Sequence, residues 1–159
     1  MGVVLASVTL LSGCGSDDAA AGPQVKTLGE ACDVLGPSIA EFTRQAVRWQ
    51  LPSAPSADGP IIPFDTYVKM VDDADPDQRR AKDLAVQINR LTPEMKAAID
   101  NGNDAAARKV VDSARKLEDE FIAVCSTDAT WTGKNALVSI RKQLDEQPLT
   151  GTPVLAPPS

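Results

Sequence analysis

Three patterns in this chain of 159 residues have the residue types and spacing of reactive sites. Asp72, Asp73, Asp75 and Asp77 form its densest acidic cluster, and the alternation of Asp73, Asp75 and Asp77 matches the opening of a calcium loop, where alternate carboxylates converge on one ion. Such a loop needs glycine at its sixth position and a bidentate glutamate at its twelfth, and Gln78 and Leu84 stand there instead. Acidic side chains just ahead of a helix are favoured by the helix dipole alone, so no metal is expected. Ser113 with Lys116, and Ser139 with Lys142, have the i, i+3 spacing by which a lysine can activate a serine nucleophile. The companion Ser-Asp-Asn and Lys-Thr-Gly motifs are missing from the sequence, and both pairs are read as solvated helix faces. Arg79, Arg80 and Lys82 are diluted by Asp77 and Asp83, as on an ordinary mixed-charge face. Histidine is absent, which removes the commonest general base and transition-metal ligand. No catalytic residue and no cofactor is expected, and the chain is read as non-enzymatic.

Cysteine chemistry is different. Residues 2–11, GVVLASVTLL, form an uncharged apolar run that is too short to span a bilayer core, which takes about 20 residues as a helix. It ends in Leu11-Ser12-Gly13-Cys14, which resembles the lipobox of bacterial lipoprotein precursors. That resemblance covers about the first 15 residues. It implies transfer of diacylglycerol to the Cys14 sulfur, where the thiolate is the nucleophile, cleavage before Cys14, and fatty acylation of the new terminus. Residues 1–13 are then a signal peptide, and the mature protein is anchored to the extracytoplasmic face of the cell membrane. A signal of this kind normally opens with Lys or Arg, whereas the first basic residue here is Lys26, so translation is expected to start further upstream. Residues 14–26 carry the lipidated cysteine and a small, polar tether with Gly and Pro.

Two cysteines remain, Cys32 and Cys125. An exported domain meets an oxidising compartment, where a leftover even pair forms a disulfide, so a structural Cys32–Cys125 bridge is predicted.

The elements that must position these groups are helical by pattern. Apolar residues make up 43% of the chain and aromatics 4%, a balance suited to close-packed helices. Thr27 and Glu30 form a capping box, followed by an apolar stripe at Leu28, Cys32, Leu35, Ile39, Phe42, Ala46 and Trp49. One helix is therefore expected from Leu28 to about Gln50, kinked at Gly36-Pro37. Four prolines within residues 51–63 mark an irregular connection, and a short helix should cover roughly Phe64 to Asp72. Asp75-Pro76 then starts a stripe at Ala81, Leu84, Ile88, Leu91, Met95 and Ala98, with Thr92-Pro93 leaving open one kinked helix or two in tandem. Asn101 to Asp104 reads as a stop and a fresh cap before Ala107, Val110, Ala114, Leu117, Phe121 and Val124. A loop over 126–133 and a last helix marked by Ala136, Leu137, Ile140 and Leu144 complete the body. The prediction is an all-α, disulfide-stapled antiparallel bundle of about four helices over residues 27–146, with a disordered Pro-rich tail at 147–159. In up-down order, Cys32 and Cys125 fall at the same end.

The net charge of −6 argues against nucleic acid as a partner. Apolar groups off the stripes are the candidates for binding an envelope protein: Ile61, Ile62 and Phe64 beside the proline-rich connection, Tyr67 on the short helix, and Trp131 in the last loop. The alternative for each is packing as a lid over the bundle ends. A membrane-anchored, non-catalytic interaction domain is the leading expectation. A prophage-type exclusion lipoprotein, an apolar-ligand carrier and a small hydrolase are the alternatives. The Ala- and Asp-rich composition is similar to that of small actinobacterial and actinophage envelope lipoproteins.

Overall fold

The computed structural model describes residues 25–50 and 64–146, with the side chains of 48–50 outside that description. Five helices make up the described residues: α1 (Leu28–Gln50), α2 (Phe64–Met70), α3 (Pro76–Asp100), α4 (Asp104–Cys125) and α5 (Lys134–Glu146). None is long and apolar enough to cross a membrane.

The helix ends lie where the local chemistry requires. At α1 the Glu30 N–H donates to Thr27 Oγ1 at 3.1 Å, and Glu30 Oε2 accepts from the backbone N–H groups of Lys26 at 2.7 Å and Thr27 at 3.3 Å. The capping box is thus complete. Asp75 caps α3 by accepting from the N–H groups of Asp77 and Gln78, and Pro76 occupies the first helical position. Between α3 and α4 the chain turns within three residues. Gly102, at φ +61°, gives its N–H to Ile99 O at 2.9 Å, and Asn103 gives its own to Ala98 O at 2.8 Å. This is the Schellman closure that a glycine just past a helix end permits. Asn103 then caps α4 through its side chain.

Both internal prolines are absorbed without ending a helix. Pro37 and Pro93 are exposed, so the carbonyl that each deprives of its donor lies on the solvent side. Of the two readings open for 76–100, one continuous α3 is correct. The short helix ends at Met70, two residues earlier than expected, because Asp72 instead closes a turn by accepting from the Ala74 N–H. Ahead of α1 the Val25 N–H donates to Met70 O at 3.1 Å.

Direction follows from the long-range bonds. The tight turn makes α3 and α4 antiparallel, and Arg80, early in α3, pairs with Glu120, late in α4. Cys32 near the start of α1 is bonded to Cys125 at the end of α4, 93 positions away, with their Cα atoms 5.9 Å apart. Arg115 on α4 reaches Leu144 O on α5, and Arg141 on α5 reaches Glu118 on α4, so these two also run antiparallel. The helices alternate up and down, and the predicted disulfide joins the end where α1 and α3 begin and α4 finishes.

The core runs through Leu35, Ile39, Leu84, Ile88, Met95, Phe121 and Leu144, all nearly or fully buried. Burying such a side chain contributes about 1.5–3 kcal/mol. The expected α1 stripe is inside from Cys32 to Ala46, with Leu28 half-buried and the Trp49 side chain lying outside the described residues. A second face is inside as well: Ala40, Thr43 and Val47 are also buried. The reason is tertiary, because α1 packs against each of the other four helices.

Candidate functional site

One cluster of long-range bonds lies beside the disulfide. Asp128, in the loop after α4, accepts from the Gly29 N–H at 2.7 Å and from the backbone and hydroxyl of Thr130. These donors, the two from Thr130 first, hold its carboxyl below the ordinary value of 3.8. Asp33 on α1 accepts in return from the Thr132 N–H and hydroxyl and from the Gly133 N–H at 2.6 Å. The loop is therefore clamped on α1 by two carboxylates. Gly29 makes the approach possible, since a Cβ there would lie 2.2 Å from Thr130 Oγ1 and 2.8 Å from the Trp131 nitrogen.

This clamp settles Trp131. Its ring is 7% exposed and meets Phe121 edge-on, with centroids 6.1 Å apart. Trp131 packs as a lid on the core, the alternative given for it in the sequence. Phe64 and Tyr67 on α2 are half-buried against the core and keep part of their surface in solvent. Ile61, Ile62 and the lipidation candidate Cys14 lie outside the described residues.

The aspartates at 72–77 are occupied locally. Asp72 and Asp75 cap turns and helix, and Asp73 pairs with Lys82 at 2.8 Å. Among the described residues no group of three His, Cys, Asp or Glu could hold a metal ion. Ser113 is exposed and donates to Lys109 O one turn back, and Ser139 is exposed with Lys142 paired to Glu146. Neither serine meets its lysine.

A polar seam between α1, α4 and α5 went unrecognised in the sequence. Glu118 is 1% exposed, and its Oε1 lies 2.6 Å from Thr43 Oγ1, itself fully buried. Its Oε2 accepts from Arg141 Nη1 at 3.1 Å. Arg141 also pairs with Asp119 and Asp145 and donates to Arg115 O. Burial pushes the Glu118 carboxyl above the ordinary value of 4.5, against the opposing pull of the Thr43 hydrogen bond and the Arg141 charge. Thr43 Oγ1 faces two acceptors, Glu118 and Ile39 O at 3.0 Å, with a single proton to give. A signal for the seam exists in the sequence: Ala107, Val111, Ala114, Glu118, Phe121 and Cys125 form a four-three stripe with one charged member. The stripe through Leu117 and Val124 conceals it, and both of those residues prove only half-buried.

A hydroxyl beside a carboxylate of raised pKa, with a guanidinium nearby, has the composition of a nucleophile, a base and an anion stabiliser. Here the hydroxyl and the carboxylate are sealed from solvent, and no substrate can reach them without the helices parting. An open concavity lies elsewhere, between the second half of α3 and the first half of α4. It is a cleft of about 410 Å³ whose lining includes the apolar Leu91, Ala98 and Val110 and the charged Glu94 and Lys109.

Fold and seam together define a disulfide-stapled all-α bundle with a charged surface. No protein-family model, curated protein or solved structure matches the chain.

Proposed function

We propose that this protein is a lipid-anchored envelope protein whose helical domain binds a partner and is not a catalyst. The observation that carries the reading is the disulfide. It accounts for Cys32 and Cys125, so the third cysteine of the chain is the one in the lipobox-like Leu11-Ser12-Gly13-Cys14. A structural bridge is the mark of an oxidising compartment outside the cytoplasm, where a lipid-modified Cys14 would hold the domain. The membrane is then the first partner, through diacylglycerol and fatty acyl chains on Cys14, and an envelope protein the second. The seal over Thr43 and Glu118 supports a binding role over a hydrolytic one. Phe64 and Tyr67, still partly open, are the partner-facing side chains that fit this reading.

The test is intact mass on membrane fractions of cells that express the chain from an extended upstream start. The wild type should carry a diacylglyceryl increment on a chain beginning at Cys14, and Cys14→Ser should remain uncleaved and unlipidated. Two soluble, uncleaved proteins would overturn the proposal.

A further inference from the structure

α5 is attached to the bundle differently from its neighbours. α3 and α4 each bury seven side chains, whereas α5 buries Leu137 and Leu144, with Ile140 half-buried beside them. Its remaining ties are polar: Arg141 to Glu118 and Arg115 O, and Arg115 of α4 to Leu144 O and Asp145. A buried ion pair gives back in attraction about what it costs in lost hydration, so the seam adds specificity more than net adhesion. α5 covers one face of α1, and the other helices are tied to one another independently of it. The disulfide joins α1 to α4, α3 packs on both, and none of these contacts runs through residues 134–146. At its N-terminal end, by contrast, α5 is moored, because Asp33 holds Thr132 and Gly133 and Trp131 is packed on Phe121.

From this arrangement we infer that α5 is a separable latch: it swings off α1 and α4 as one unit about Gly133, while the α1–α4 body stays folded. Opening hydrates Glu118 and Thr43 together and bares Leu137 and Leu144. Water then replaces Arg141 as the partner of the carboxylate, so the cost of opening lies mainly in baring the two leucines. The latch stands whether or not Cys14 carries lipid.

Hydrogen exchange by mass spectrometry on the full chain, with the disulfide intact, tests it. Peptides within 134–146 should exchange through an opening that leaves peptides of α3 and α4 protected. Arg141→Met should lower α5 protection by about tenfold or more, the usual effect of losing a hydrogen bond to a charged group, with α3 and α4 unchanged. Leu144→Ala, which leaves every charge in place, should give the same pattern. Exchange of α5 at the rate of the α3 and α4 core in the wild type would overturn the latch. So would an equal loss of protection in all helices in both variants.

Discussion

The two ends of the bundle are closed by opposite means. At one end residues about a hundred positions apart are joined by a disulfide, by Asp128 on the Gly29 N–H and by Asp33 on Gly133. At the other, α3 and α4 are joined by the neighbours Asn101 to Asn103, whose bonds are all local. The first end carries the long-range order of the fold, and every bond there removes freedom from a long loop. The second organises itself from sequence neighbours and leaves an open cleft beside it. Damage at the stapled end should therefore cost far more than damage at the turn.

The largest effect should come from the bridge. Replacing Cys32 and Cys125 by alanine should lower unfolding free energy by about 4–5 kcal/mol on the loop-entropy account, measured by urea denaturation against the oxidised wild type. A loss near zero would show that the clamps alone hold this end. Next, the two glycines compare the ends directly. Gly29→Ala drives a methyl into Thr130 and the Trp131 backbone and should cost about 1–3 kcal/mol. Gly102→Ala meets open space and carries only the left-handed backbone penalty, about 1 kcal/mol. Equal costs would erase the distinction between the ends.

The smallest effect is in pH, where two carboxylates act with opposite sign. Asp128, lowered by its hydrogen bonds, contributes stability that is present above 3.8 and lost as pH falls through its folded value. Glu118, raised by burial, contributes stability that is present below 4.5 and lost as pH rises through its folded value. Urea midpoints should rise from strongly acid pH, pass a maximum on the acid side of neutrality, and then decline. Glu118→Gln should remove the decline and leave the rise. A wild-type midpoint that climbs steadily to pH 7 would contradict the raised carboxyl.

Much of the architecture was legible in the chain because it rests on local chemistry. Thr27 with Glu30, Asp75 with Pro76, and Asn101 to Asp104 each announce a helix boundary through groups within four residues of one another, and the apolar period places most of the core. The pairing of Cys32 with Cys125 was also accessible, since up-down order puts both at one end. The burial of Trp131 was not legible in this way. Trp131 is an aromatic in a loop, and of the two aspartates that fold that loop onto α1 one lies about a hundred residues away and the other, three residues away, acts through Gly29 on α1, so its burial has no local signature.

Sequence by itself determined the helices, their ends and the covalent link, because capping, turn geometry and amphipathic period act over a few residues. Only the tertiary structure decided that α1 is buried on two faces, that Trp131 is a lid, and that Glu118 meets Thr43 and Arg141 inside the seam. Those outcomes depend on which helix lies beside which. That choice is made by the packing of whole faces, and no single stretch of sequence contains it.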